Sequence, residues 1–133
     1  LIKKIYENDK IINMWGSGKP LRQYMYGGDL AKVIKHMIGN NEVGCFNVTP
    51  SNVFTIKEIV EIGKGDKLAG LSTFKKENLI VNWDNTKPNG QFRKDVSSKK
   101  LLSILNDFKF TSLEEGIKKT YEYKSKEWSK NVK

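Results

Sequence analysis

One cysteine, one histidine and three prolines stand in 133 residues, and each scarcity removes a class of chemistry. A lone Cys45 forbids an internal disulfide and fits a reducing cytoplasm. Cys45 and His36 together cannot make a structural zinc site, which takes four such ligands. No apolar run approaches the ~20 residues that a membrane helix needs. The start, Leu1-Ile-Lys-Lys-Ile-Tyr-Glu, is amphipathic and charged and does not read as a signal peptide. Asn47-Val-Thr49 matches a glycosylation acceptor by pattern, but it lies in an apolar, strand-like run without a secretory signal. Arginine is also scarce: Arg22 and Arg93 are the only two among 24 basic residues.

What is abundant is lysine. The formal charge is +9, yet the lysines are spread along the chain and mixed with Asp and Glu. The densest run, Lys118 to Lys133, contains Glu122 and Glu127. Nucleic-acid modules cluster their cations on one face and add Arg and aromatics for stacking. The lysines therefore read as a solvated surface, with neither a nucleic-acid nor a membrane partner. A nucleotide diphosphate would also profit from the positive field.

Periodicity organises the chain as α/β or α+β. Leu1, Ile2 and Ile5 repeat at helical spacing with no cap before them, which reads as a chain entered inside a helix. Lys10 to Trp15 reads as a strand, 16–20 as a turn and Leu21 to Tyr26 as a return strand. Asp29 is a natural cap for a helix carrying Leu30, Val33, Ile34, Met37 and Ile38 on one face and ending at Asn40-Asn41. Gly44 to Val48 is a short buried strand by composition. Thr55-Ile-Lys-Glu58 is a capping box opening a helix with Ile56, Ile59 and Val60. Gly63 to Lys76 reads as irregular, Asn78 to Trp83 as a strand, Asp84 to Gln91 as a polar loop and Ser98 to Leu105 as a helix. A second capping box, Ser112-Leu-Glu-Glu115, opens a terminal helix to about Trp128.

Catalytic motifs are missing. Gly18-Lys19 ends like a P-loop, but that loop needs Gly where Asn13 stands and Ser or Thr where Pro20 stands. Gly63, Gly65 and Gly70 lack the dinucleotide spacing. Tyr6 and Lys10 fit a Tyr-x-x-x-Lys count, but Asn8-Asp9 between them reads as a helix end, and the dyad needs one helical face. His36 falls off the apolar face of its helix and reads as a surface residue. Cys45 reads as a buried, inert thiol. No carboxylate pair recommends itself for acid–base work. The residues thus point to a binding surface with no catalytic group, no cofactor-binding group and no metal ligand.

That surface centres on Trp15-Gly-Ser-Gly-Lys-Pro-Leu-Arg22-Gln-Tyr-Met-Tyr-Gly-Gly-Asp29-Leu-Ala31. An indole and a guanidinium flank one tight turn, and a planar fork suits paired bonds to phosphate. Taken singly, Trp15 also reads as a core aromatic, Arg22 as a surface ion pair and Lys87-Pro-Asn-Gly90 as a β-turn.

Several blocks carry a resemblance in order along the chain. They are Trp15 to Gln23, Asp29-Leu-Ala31, Phe46-Asn-Val48, Thr55 to Glu58, Asn82-Trp-Asp84-Asn-Thr-Lys87-Pro-Asn-Gly90-Gln-Phe-Arg-Lys94, Ser112 to Gly116 and Thr120-Tyr121. Together they resemble the C-terminal part of GDP-L-fucose synthases, which are extended short-chain dehydrogenase/reductases. The first block and the long block at 82–94 are specific to these enzymes; the others are common among sugar-nucleotide epimerases and reductases. The resemblance implies an α/β fold in which 1–133 is the substrate-binding lobe, with Gly44 to Val48 as the last strand of the Rossmann sheet. It implies conversion of GDP-4-keto-6-deoxymannose to GDP-L-fucose, by epimerisation at C3 and C5 and reduction at C4. NADPH would be held upstream of Leu1, as would the catalytic residues, so this chain alone would be inactive. A homodimer built on upstream helices is implied as well. Trp15 and Arg22 match the family's substrate-binding Trp and Arg, and Asn89 stands where the family has Asp. Gly27-Gly28 replaces a bulkier pair, and 63–76 is longer than its counterpart. The competing readings are another sugar-nucleotide epimerase or dehydratase, and a non-catalytic nucleotide or polyanion module.

Overall fold

The computed structural model describes residues 1–7, 10–65 and 79–130. Five helices and five strands follow in order: α1 (Ile2–Tyr6), β1 (Ile11–Trp15), β2 (Leu21–Arg22), α2 (Gly27–Gly39), β3 (Phe54–Thr55), α3 (Ile56–Lys64), β4 (Ile80–Asp84), β5 (Arg93–Lys94), α4 (Lys99–Leu102) and α5 (Leu113–Lys130). The architecture is α/β, as expected. Strands β1 and β4 pair in parallel from Ile11 opposite Ile80 to Trp15 opposite Asp84. Strand β2 is central in a second sheet, antiparallel to β3 and parallel to β5.

Two apolar clusters hold these elements. In one, Ile12, Ile62, Leu79 and Ile117 are buried, so β1, α3 and α5 converge. In the other, Val33, Leu101 and Leu105 join α2 to the segment around α4. Helix α1 packs on α5, where the Tyr6 ring lies 4.9 Å from Trp128 and 6.2 Å from Tyr121. Tyr6 is thus used in packing.

The caps at 55–58 form as the sequence spells them. Thr55 Oγ1 accepts from the Glu58 amide at 3.1 Å, and the Thr55 amide donates to Glu58 Oε2 at 2.7 Å. Gly65, at φ 95°, closes α3 in the left-handed region that glycine adopts without penalty. At α5 the Glu115 amide donates to Ser112 Oγ at 3.2 Å, while the Glu115 carboxylate pairs with Lys119.

Several expectations are corrected. Asp29 is not the cap of α2: the helix starts at Gly27, with Tyr26 at the cap position. Asp29 lies in the first turn, fully buried, where a carboxylate also suits the helix dipole. The return strand keeps only Leu21–Arg22, since only these two residues find strand partners. Gly44 to Val48 forms no strand. A strand needs a neighbouring edge for its amides, and none of the described strands runs beside this one. Phe46 and Val48 instead pack on the Leu101–Leu105 cluster. Cys45 is exposed, for the same want of a covering strand. His36, expected at the surface, is half-buried. Helix α4 is shorter than expected and continues as turns to Leu105. Gly63 and Lys64, expected to be irregular, are instead the last residues of α3; the rest of that stretch beyond Gly65, Asn78 and the helix end at Asn8-Asp9 lie outside the described residues.

Candidate functional site

Strands β1 and β4 run in parallel and end side by side, so their outgoing loops share one edge of the sheet. In α/β sheets this carboxyl edge is where ligands gather. The loop after β1 is Gly16-Ser17-Gly18-Lys19-Pro20; the loop after β4 runs from Asn85 to Phe92.

Glycine is required twice in the first loop. Gly16 has φ +75°, and a Cβ there would lie 2.6 Å from Asn89 Oδ1. Gly18 has φ +72°, and its Cβ would lie 2.7 Å from the Trp83 ring. The turn lies this close to β4 because both positions lack side chains. It is braced from behind by α3: the Lys57 amide donates to the Gly18 carbonyl at 2.9 Å and the Ile56 amide to the Pro20 carbonyl at 3.0 Å.

The second loop is nucleated by Asp84, whose Oδ1 accepts from the Thr86 amide at 3.0 Å and the Thr86 hydroxyl at 2.5 Å. This is an Asx turn, for which Asp is suited. It brings Lys87 over the Trp15 ring, with Nζ 5.9 Å from the centroid. It brings Asn89 to Ser17, where Asn89 Oδ1 accepts from the backbone amide at 2.7 Å and from the hydroxyl at 2.8 Å. It also brings Gly90 beside Arg22: a Cβ on Gly90 would lie 3.8 Å from Arg22 Nη2.

Asn89 is thus part of a short loop that Trp15 adjoins at Lys87 and Arg22 at Gly90. Trp15 is 71% exposed, so it is not a core aromatic. Arg22 is half-buried and donates from Nη1 to its neighbour's carbonyl, Leu21 O, at 2.7 Å. It makes no ion pair with any of the described residues, so it is not the surface pair that composition alone allows. Lys87 and Lys19 also lack a carboxylate partner among the described residues. A ring, a guanidinium and two lysines stand on the strand ends and loops of this edge with no ion pair among the described residues, beside the Asp84 carboxylate that is engaged by Thr86, which suits an anion joined to a flat group.

Residue types alone did not point to Ser17 or Lys87. The signal for Lys87 was its neighbourhood, two residues before Asn89. Ser17 had none, because its partner is distant in sequence. Among the described residues, no group of His, Cys, Asp and Glu could hold a metal ion. A larger apolar hollow of about 580 Å³ lies elsewhere, between α1, α3 and α5, against Ile56, Ile59, Ile117 and Trp128. Its wall is mostly core-type side chains, with Lys3, Tyr24, Thr120 and Lys124 also on it.

The family model for the NAD dependent epimerase/dehydratase family matches residues 1–49. The probable GDP-L-fucose synthase of Drosophila melanogaster is 34% identical over 111 residues, covering 84% of this chain and 33% of that protein. The GDP-L-fucose synthase of Dictyostelium discoideum is 30% identical over 126 residues, covering 92% of this chain and 38% of that one. The chain belongs to the GDP-L-fucose synthase family. It spans about a third of the length of the curated relatives it matches, 33% of the first. The same fold is seen in the GDP-L-fucose synthetase of Naegleria fowleri bound to NADP, with a TM-score of 0.76 at 23% identity, covering 96% of this chain and 39% of that one. It is seen too in a dTDP-glucose 4,6-dehydratase of Bacillus anthracis in complex with NAD, with a TM-score of 0.65 at 20% identity, covering 99% and 40%. GDP-L-fucose synthases are oxidoreductases and epimerases of GDP-fucose biosynthesis, in keeping with both the family model and the fold.

Proposed function

We propose that this chain is the sugar-nucleotide-binding part of a GDP-L-fucose synthase, converting GDP-4-keto-6-deoxymannose to GDP-L-fucose with NADPH. The observation that supports the reading is that the loop 87–90 adjoins Trp15 at Lys87 and Arg22 at Gly90, with Asn89 between them. Arg22 would pair with a diphosphate oxygen. Trp15 would wall the apolar side of the ligand, and the loop at Asn89 would cover it. Residues 1–133 act as this binding region. The family resemblance supports a cytoplasmic homodimer; among the described residues, no helix is long and apolar enough to cross a membrane.

The described residues do not fit a dinucleotide phosphate site. Such a site needs a strand, a glycine turn and a helix in succession. The glycine turn after β1 leads into β2, and α3 follows β3 directly through Thr55. Helix α2 opens on Gly27-Gly28, but its first turn carries the buried carboxylate of Asp29. NADPH would therefore depend on the part of the relatives that this chain does not span, and this chain's own residues serve substrate binding.

A nucleic-acid partner is disfavoured by how the lysines are used. Lys3 pairs with Glu7, Lys64 with Glu61, Lys119 with Glu115 and Lys124 with Glu127. Titration calorimetry with GDP, UDP and dTDP tests the reading. Binding of GDP well above the other two is expected; a preference for UDP or dTDP would assign the chain to another sugar-nucleotide enzyme of the same fold.

A further inference from the structure

We propose that Gly16, Ser17 and Asn89 form a latch between the two loops, and that Asn89 is a positioning residue acting through it. The inference rests on the sugar-nucleotide reading for its consequence but not for the latch itself. Asn89 Oδ1 accepts two hydrogen bonds from one residue, the Ser17 amide at 2.7 Å and the Ser17 hydroxyl at 2.8 Å. A backbone N–H can only donate, so the carbonyl side of the Asn89 amide must face Ser17. The acceptor that a ligand hydroxyl would use is thus already engaged.

The latch lies beyond the end of the β1–β4 ladder, which closes with the Gly16 amide donating to the Asp84 carbonyl at 2.8 Å. It joins residues 72 apart in sequence. Asn89 also sits between the two residues that meet the walls of the site, Lys87 at Trp15 and Gly90 at Arg22. Holding Asn89 therefore holds both. Gly16 is the clearance: any side chain there would meet Asn89 Oδ1, with a Cβ 2.6 Å away at φ +75°. A site closed before the ligand arrives does not lose affinity to ordering its loops.

The latch needs an acceptor at 89 and nothing more. Asp supplies one, and Ala does not. Asn89→Asp therefore rescues what Asn89→Ala loses, and Gly16→Ala disrupts the latch while leaving residue 89 unchanged. A residue acting by direct contact through its amide donors gives the opposite pattern.

The test joins two measurements on the full chain. Hydrogen exchange of the Ser17 amide is followed by NMR without ligand, and GDP binding is followed by calorimetry. In Asn89→Ala, Ser17 exchange rises about tenfold or more and GDP affinity falls about tenfold, the scale of one hydrogen bond. In Asn89→Asp both stay within about threefold of the parent. Gly16→Ala weakens GDP as Asn89→Ala does; if it fails to fold, Ser17→Ala takes its place, with a smaller loss because the backbone bond remains. Equal Ser17 exchange in the parent and Asn89→Ala overturns the latch. So does an Asn89→Asp variant as weak as Asn89→Ala. A parent that does not bind GDP but shows the expected Ser17 exchange removes the sugar-nucleotide reading and leaves the latch standing.

Discussion

The carboxylate of Asp29 accepts from the Thr111 amide at 2.6 Å and from the Thr111 hydroxyl at 2.9 Å, tying the first turn of α2 to the approach of α5. Asp29 is fully buried, and Lys32 completes the arrangement at 3.2 Å. Two segments 82 residues apart are thus held by one side chain.

Asp29→Ala leaves the Thr111 amide without its partner. A loss of about 2–4 kcal/mol is expected, between an unmet buried hydrogen bond and a broken buried pair. Urea denaturation at neutral pH measures it. A change below about 0.5 kcal/mol, the range of an ordinary surface substitution, would show that the contact is incidental.

The same group gives a pH dependence. Burial pushes the Asp29 carboxyl up, but bonds from the Thr111 amide, the Thr111 hydroxyl and Lys32 outweigh it, and the net effect is below the usual carboxylate value of 3.8. The folded value is lower than the unfolded one, so the stabilisation is present above about pH 4 and is lost as pH falls through the folded value. Asp29→Asn removes this component. The stabilities of the parent and the Asp29→Asn variant should therefore converge as pH falls below about 4; parallel curves down to low pH would refute the assignment.

Thr55→Ala removes the hydroxyl of a reciprocal cap. The expected cost is about 1 kcal/mol. Because the Lys57 and Ile56 amides brace the turn at Gly18 and Pro20, hydrogen exchange at those two amides should also quicken. Lost stability with unchanged exchange there would mean that α3 does not brace the loop.

Arg22→Ala should weaken GDP-sugar binding by about 1.5–3 kcal/mol, the range of a charge-assisted bond. Trp15→Ala should weaken it without much change in salt dependence, because the ring supplies contact area and no charge. Calorimetry at two salt concentrations separates them. Unchanged affinity in a folded Arg22→Ala variant would remove the central support for the site.

This chain alone should not consume NADPH with the keto-sugar nucleotide, since the one helix among its described residues that opens on glycines, α2, carries the buried Asp29 carboxylate in its first turn. Absorbance at the nicotinamide band follows the reaction. Turnover would bring Tyr6, Lys10 or His36 back as candidate catalysts.

Local signals in the sequence were enough for the elements that depend on neighbours a few residues apart. The Thr55–Glu58 box, the helix α2, the glycine turn after Trp15 and the loop from Asp84 are all local, and all formed, but of the apolar face expected on α2 only Val33 is buried, while Leu30, Ile34 and Ile38 are exposed. The ordered blocks also named Trp15, Arg22 and Asn89 as one group. Burial and pairing were not legible in this way. Trp15 is exposed at the end of β1, with the Lys87 ammonium over its ring, although its type favours the interior. Gly44 to Val48 has strand composition but no partner edge among the described strands. Asp29 reads as a cap until Thr111 arrives from a distant segment, and Ser17 reads as a turn residue until Asn89 does. Caps and periods are set by hydrogen bonds and side-chain spacing within a turn or two of chain. Which distant donor meets which acceptor depends on how the elements pack, and only the tertiary structure decided that.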